Sequence, residues 1–110
     1  MDQIKRTPID SIKRHHENQS DWHYWFSPDA MKFFRTRFVG QAWTVLGRSH
    51  QPVVSFFITS DLPPHSARRF TVRKYTWDTH EFECIGVVCQ YWTKDAARDK
   101  VKSLLGIPPR

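Results

Sequence analysis

Hydrophobic and polar positions alternate from Arg68 to Val87 in a pattern that predicts an antiparallel β-hairpin. Two runs rich in β-branched and aromatic residues flank the segment Trp77 to His80, a polar link of hairpin length. Phe70 and Val72 lie on one face of the first run, and this face suits a hydrophobic core. The opposite face is basic and aromatic and contains Thr71, Arg73 and Tyr75.

A short helix is predicted near the N-terminus. The segment Thr7 to Asp10 supplies a capping residue, a proline at the first helical position and an acidic residue in the first turn. Its narrow apolar stripe consists of Ile9, Ile12 and His16. Lys13 and Arg14 lie outside this stripe, so the helix is either a basic arm that contacts phosphates or a solvated leader. We expect residues 1–20 to form this basic helical leader and residues 21–110 to form a single α+β domain.

Three more strands and one inserted helix are predicted in the body of the chain. Strands are expected at residues 21–26, 42–46 and 53–59, and the last should be central because its run is almost continuously hydrophobic. The segment Ser27 to Asp29 repeats the helix entry signal, so a helix should run from Pro28 to about Arg37 and end at Gly40. Its expected inward-facing residues are Met31, Phe34 and Phe38.

A closing helix is predicted between Thr93, a capping residue, and Gly106, which suits a helix C-terminus. Its expected apolar stripe consists of Ala97, Val101, Leu104 and Leu105. Residues 87–92 either prolong the last strand past a bulge at Gly86 or bend into this helix.

The predicted fold class is therefore α+β: a mainly antiparallel sheet of four or five strands, with one inserted helix and a C-terminal helix packed on the sheet. The expected core consists of Met31, Phe34, Val54, Phe56, Ile58, Phe70, Val72, Phe82, Val101 and Leu104.

The net charge of the chain hints at the kind of partner but does not identify it. The chain carries 17 Lys and Arg against 11 Asp and Glu, a net charge of +6. This excess favours polyanionic partners through Coulomb attraction and counterion release, but it is also usual for a small soluble domain. No apolar run approaches the roughly twenty residues of a membrane span, so a soluble, cytoplasmic protein without membrane contact is expected.

Catalytic and metal-binding patterns are missing from the sequence. Its 6 histidines are scattered without metal-site spacing, and its 4 glycines stand singly rather than in a phosphate-binding loop. Cys84 and Cys89 have no zinc-knuckle spacing and are too few for a disulfide framework, so buried free thiols are expected. We therefore predict a non-enzymatic protein that uses no metal or cofactor.

The basic and aromatic face of the hairpin is the candidate binding surface. Arginine planes and exposed aromatic rings stack on nucleic-acid bases, while lysines hold phosphates. The alternative is that Tyr75 and Trp77 pack beneath the C-terminal helix while the arginines are solvated. The candidate residues for binding a nucleic acid or another partner are Arg69, Arg73, Lys74, Tyr75 and Trp77, together with Lys13, Arg14 and Arg35.

Three runs in a fixed order, Trp25 to Arg37, Phe56 to Ser60 and Arg69 to Tyr75, resemble a group of small uncharacterised proteins of phages, prophages and conjugative elements. The resemblance covers roughly Trp22 to Leu105 and implies an accessory role in a bacterial host, with no functional residue attached. Small mobile-element proteins without catalytic groups often cover a site on a host machine, so we expect a protein that binds a host nucleic-acid-processing or ribonucleoprotein complex, for example as an inhibitor of the anti-CRISPR kind. The alternative is a protein that binds single-stranded DNA or RNA directly. Oligomeric state is left open by the sequence.

Overall fold

The computed structural model describes residues 3–19, 35–62 and 65–106. Its elements are β1 (Gln3–Thr7), α1 (Ile9–Gln19), β2 (Arg37–Leu46), β3 (Pro52–Asp61), β4 (Arg69–Thr76), β5 (Glu81–Cys84) and α2 (Lys94–Leu105), with a 3-10 turn at Arg48–His50. The strands form one five-stranded sheet in the order β1-β2-β3-β4-β5, and all neighbours are antiparallel. The predicted α+β class with an antiparallel sheet is confirmed.

The predicted hairpin is formed by β4 and β5. Tyr75 lies opposite Phe82 and Arg73 opposite Cys84. The link closes as a turn in which the backbone N–H of His80 donates to the carbonyl of Thr76 at 2.9 Å. The neighbouring strand β3 lies between β2 and β4, in the centre of the sheet as predicted.

Each face of the sheet is covered by a helix. The α1 core consists of Ile9, Ile12, Ala42, Phe57, Tyr75 and Phe82. The α2 core consists of Trp43, Phe56, Ile58, Val72, Ala97 and Val101. Successive residues of a strand point to opposite faces, so β3 supplies Phe57 to the α1 core and Phe56 and Ile58 to the α2 core. This double coverage explains why the run in β3 shows so little alternation.

The N-terminal segment is part of the folded domain. β1 pairs with β2 from Gln3 opposite Leu46 to Thr7 opposite Ala42. α1 buries the predicted stripe of Ile9, Ile12 and His16. The predicted boundary between a leader of residues 1–20 and a domain of residues 21–110 is therefore corrected, because residues 3–19 contribute an edge strand and one of the two core clusters.

The region from Arg37 to Gly40 differs from the prediction of a helix end. Arg37 and Phe38 begin β2, and Phe38 packs against the α1 core. Gly40 lies inside β2, where the pairing with β3 is irregular between Val39 and Trp43. Its φ of +65° therefore belongs to an irregularity within a strand and not to a helix terminus. The predicted strand at 21–26 and the predicted helix up to residue 34, with Met31 and Phe34, lie outside the described residues.

The closing helix α2 has the predicted caps. The Thr93 hydroxyl accepts a hydrogen bond from the Ala96 N–H at 3.1 Å, and Gly106 ends the helix with φ 74°. Ala97 and Val101 are buried, and Leu105 packs against the α2 core. Leu104 is exposed, contrary to prediction. The buried stripe runs at i, i+4 and i+8 through Ala97, Val101 and Leu105, which leaves Leu104 on its flank.

Of the two alternatives for residues 87–92, the prolonged strand is wrong, because the segment bends and leads into α2. The chain turns after β5, and Tyr91 then forms an isolated antiparallel bridge with Phe70, with backbone hydrogen bonds of 2.8 and 3.0 Å. The rest of the predicted core is confirmed for Phe56, Ile58, Val72, Phe82 and Val101, which are buried, while Val54 and Phe70 are partly buried.

Candidate functional site

The face of β4 that was predicted to be an exposed stacking surface lies beneath α1. Tyr75 is 0% exposed and its hydroxyl lies 2.6 Å from Nδ1 of His15. Burial raises the pKa of Tyr75 to about 12, so the hydroxyl keeps its proton at neutral pH. Tyr75 therefore cannot stack on a base in this structure. The alternative prediction placed it under the wrong helix, because it packs beneath α1 and not α2.

Trp77 is half-buried at the edge of the same cluster. Its ring packs against the α1 core and lies 4.5 Å from the ring of His15. Its indole N–H donates to the hydroxyl of Ser55 at 2.8 Å. Trp77 is thus fixed in place with only part of its ring open to solvent. It is not the freely exposed stacking residue that the sequence suggested.

Arg73 belongs to a buried polar network and not to an exposed surface. Its side chain is 12% exposed, its Nε donates to the Thr59 hydroxyl at 2.8 Å, and its Nη2 lies 3.8 Å from Oδ2 of Asp61. The Asp61 carboxylate also accepts hydrogen bonds from the hydroxyls of Thr59 and Thr71, each at 3.1 Å. The contacts of Arg73 therefore stabilise the polar end of this sheet face.

The remaining predicted lysines and the helix arginine lie apart from one another. Lys74 points to the opposite face from Arg73 and pairs with Glu83 at 3.1 Å. Lys13 lies over the ring of Phe38, 5.0 Å from its centroid. Arg14 is exposed on α1. The structure does not bring these three residues together with Arg69.

Arg69 instead stacks on Trp92, an aromatic residue that sequence reasoning missed. The guanidinium carbon lies 3.5 Å from the centroid of the Trp92 ring. Trp92 is 62% exposed, so the side of the ring that faces away from Arg69 is open to solvent. The bridge between Phe70 and Tyr91 explains the geometry, because each of the stacked residues directly adjoins one partner of that bridge.

Two further arginines lie at the same end of the sheet. Arg68 donates hydrogen bonds from Nη1 to the carbonyls of Arg35 and Ser60, each at 3.1 Å. Among the described residues, the ion pairs join Arg73, Lys74 and Arg98 to carboxylates, so no such pair neutralises Arg35, Arg68 or Arg69. We call Arg35, Arg68, Arg69 and Trp92 the Arg69–Trp92 surface.

A sequence signal for the exposure of Trp92 exists. Trp92 directly precedes the N-cap Thr93, a position whose hydrophobic residue usually packs against the fourth helical residue. That residue is Ala97, which is small and fully buried in the α2 core. Because Ala97 offers little surface to a tryptophan, the indole packs against Arg69 instead.

The thiols offer no reactive centre. Cys84 and Cys89 are free and half-buried. Burial is the largest cause that raises the pKa of each thiol, so both are protonated at neutral pH and are poor nucleophiles. In the part of the chain that the structure describes, His, Cys, Asp and Glu form no group of three that could hold a metal ion. None of the described helices is long and apolar enough to cross a membrane.

Fold and surface together define a small α+β protein with an exposed basic and aromatic surface at one end of its sheet. The chain belongs to DUF7447, a family of unknown function, whose profile matches residues 8–102. That match includes all of α1, in agreement with the role of this helix in the core. No curated protein and no solved structure matches the chain.

Proposed function

We propose that the protein binds single-stranded nucleic acid through the Arg69–Trp92 surface and acts by binding, not by catalysis. The observation that carries this proposal is the stack of Arg69 on Trp92 at 3.5 Å, with 62% of Trp92 exposed. A base that stacks on the open side of the indole forms a three-layer arrangement with the guanidinium. Such stacking contributes about 1 to 3 kcal/mol per base and tolerates any base.

The three arginines of the surface supply the charge that this partner needs. Phosphate contacts by Arg35, Arg68 and Arg69 would release condensed counterions, about 0.7 per phosphate on a single strand. The logarithm of the association constant should then fall with the logarithm of salt concentration with a slope of about −2.

The test is fluorescence anisotropy with short labelled single-stranded DNA and RNA at two salt concentrations. Trp92→Ala should weaken binding at least fivefold, since removal of one stacked base costs about 1 kcal/mol or more. Trp92→Phe should keep part of the affinity. Arg69→Ala should also weaken binding, because it removes the stacked guanidinium. Arg48→Ala, at an exposed arginine in the 3-10 turn, is its charge-matched control and should bind almost as tightly as wild type. Unchanged binding by Trp92→Ala, or no binding at low salt, would overturn the proposal.

A protein or nucleoprotein partner is the second candidate, and one observation favours it. The turn that leads to Trp92 exposes Val87 and Val88, at 69% and 51%. Exposed tryptophan and arginine beside aliphatic side chains are typical anchors of protein interfaces. With a protein partner, the Arg69–Trp92 surface would cover part of a host nucleic-acid-processing complex, as an accessory or inhibitory protein of a mobile element would.

Pull-down from a bacterial lysate, with and without nuclease treatment, separates the two candidates. A partner that survives nuclease and is lost with Val88→Asp supports the protein interface. Loss of all captured material after nuclease treatment favours direct nucleic-acid binding. The mobile-element origin stays a prediction.

A further inference from the structure

A half-open pocket of 440 Å³ lies on the α1 side of the sheet, away from the Arg69–Trp92 surface. It is lined by Lys5, Thr7, Thr44, Leu46, His50, Pro52 and Trp77. Its volume falls within the range of about 300 to 1,000 Å³ that is usual for small-molecule sites. Strands β1, β2 and β3 build its floor, so the pocket rests on a rigid part of the fold.

The aromatic wall of the pocket is held in one orientation. The indole N–H of Trp77 donates to the Ser55 hydroxyl at 2.8 Å, and the backbone N–H of Trp77 donates to the carbonyl of Val53 at 3.1 Å. His15 supports the indole from α1, with a ring distance of 4.5 Å. A flat ligand ring therefore meets a preformed surface, which lowers the entropy cost of binding.

The floor of the pocket contains one member of a hydrogen-bonded pair of hydroxyls. The hydroxyls of Thr44 and Ser55 are buried and lie 2.6 Å apart, and the Ser55 hydroxyl also accepts the indole N–H. Either hydroxyl can donate to the other. When the Ser55 hydroxyl donates to Thr44, the Thr44 hydrogen has no acceptor within this group of side chains. Thr44 lines the pocket, so a ligand oxygen there would accept the hydrogen in this arrangement.

Charge in the pocket selects an anion. Lys5 supplies an ammonium group and His50 an imidazole, whereas the residues that line the pocket include no Asp or Glu. The ion pairs of the described residues do not involve Lys5, so its charge is available to a ligand. Leu46 and Pro52 complete an apolar side next to Trp77.

We propose that this pocket binds a nucleoside monophosphate, with the base against Trp77, the phosphate at Lys5 and a ligand oxygen at the Thr44 hydroxyl. A planar ring and a compact anion at opposite ends of one small ligand match the aromatic wall and the cationic rim. None of these residues belongs to the Arg69–Trp92 surface. Nucleotide binding in the pocket is therefore independent of nucleic-acid binding at that surface.

The experiment is a titration of the ¹⁵N-labelled protein with AMP, followed by NMR of the indole N–H signals. Trp77→Phe identifies the Trp77 signal, and Trp92→Ala removes stacking at the Arg69–Trp92 surface. AMP should shift the Trp77 signal equally in the wild type and in Trp92→Ala. Adenosine and inorganic phosphate should each bind at least tenfold more weakly than AMP, because each lacks one half of the recognised group.

Lys5→Gln should weaken AMP binding about tenfold, whereas the charge-matched change Lys102→Gln on α2 should leave it unchanged. Lys5 is exposed on the edge strand, so its substitution does not disturb the core. A Trp77 signal that AMP does not move, equal affinity for AMP and adenosine, or equal effects of the two lysine substitutions would each overturn the proposal. A shift of Trp92 alone would instead point to the Arg69–Trp92 surface.

Discussion

The hydroxyl of Tyr75 and Nδ1 of His15 lie 2.6 Å apart, which joins strand β4 to the helix that covers it. Burial raises the pKa of Tyr75 to about 12, so the hydroxyl keeps its proton at neutral pH. Burial also lowers the pKa of His15, so the imidazole is neutral, and the direction of the hydrogen bond follows its tautomer. The contact fixes α1 over the face that carries Tyr75.

Tyr75→Phe should lower the free energy of unfolding by about 1 kcal/mol, because it removes one hydrogen bond and leaves the packing of the ring intact. Urea denaturation monitored by circular dichroism measures the change. Tyr91→Phe is the matched control, since Tyr91 packs against the α2 core and its hydroxyl makes no hydrogen bond with the described residues. Equal losses for the two variants would contradict the role of the His15 contact.

Stability should also depend on pH through His15. Burial lowers the pKa of His15, and the charges of His80 and His16 lower it further. In the unfolded chain the pKa is about 6.5, so as the pH falls the unfolded state takes up the proton first. The contribution of neutral His15 to the free energy of unfolding is therefore complete above about pH 7. It is lost as the pH falls below the pKa of His15 in the unfolded chain.

Urea denaturation between pH 8 and pH 5 would measure this loss. His15→Asn keeps an acceptor oxygen for the Tyr75 hydroxyl but cannot titrate, so its unfolding free energy should depend less steeply on pH than that of wild type. His50→Asn, at an exposed position, should retain the wild-type slope. Parallel slopes for wild type and His15→Asn would show that another group titrates.

The hairpin and the caps of α2 could be predicted because their signals are local. The alternation in β4, the N-cap Thr93 and the C-terminal Gly106 each act within a few residues, and all three behave as expected. The face pattern of β4 was also correct: residues 70 and 72 lie on one face, and residues 71, 73 and 75 on the other.

What could not be predicted depends on contacts between distant parts of the chain. β1 contains Gln3, Lys5 and Arg6, too polar a run to predict as a strand from its hydrophobic pattern. Its pairing with β2 supplies the missing stabilisation, helped by the Arg6 guanidinium 4.0 Å from the centroid of Trp43. Once β1 is an edge strand, the following helix α1 lies on the sheet and buries Tyr75. The Arg69–Trp92 surface likewise requires the bridge after β5.

Gly40 should be sensitive to substitution for a backbone reason alone. Its φ is +65°, and an added Cβ would meet only Nη2 of Arg6 at 3.9 Å, an ordinary contact. Gly40→Ala should therefore cost about 1 kcal/mol of stability, the usual penalty for a left-handed conformation. Gly40→Asn should cost less, because asparagine tolerates this conformation better than alanine. The free energy of unfolding in urea gives both values, and an equal cost would argue for a steric cause.

Asp61 should be the most sensitive polar residue of the described chain. It is 2% exposed, faces the Arg73 guanidinium at 3.8 Å and accepts hydrogen bonds from the hydroxyls of Thr36, Thr59 and Thr71. Asp61→Asn keeps the shape but removes the charge and replaces one acceptor oxygen with a donor. The expected loss is about 3 kcal/mol, the usual scale for breaking a buried ion pair or a charged hydrogen-bond network.

Asp95→Asn is the control for Asp61→Asn, because it makes the same chemical change in an exposed ion pair. Asp95 lies 3.8 Å from Arg98, the same separation as in the buried pair, but its side chain is 90% exposed. Solvent screening limits its loss to about 0.5 kcal/mol. The distance between the charged groups is therefore the same in the two pairs, while their burial differs. A larger loss of unfolding free energy at Asp61, measured by urea denaturation, then reports the contribution of burial and of the threonine hydroxyls. Similar losses at the two positions would show that the network around Asp61 adds little to the stability of the fold.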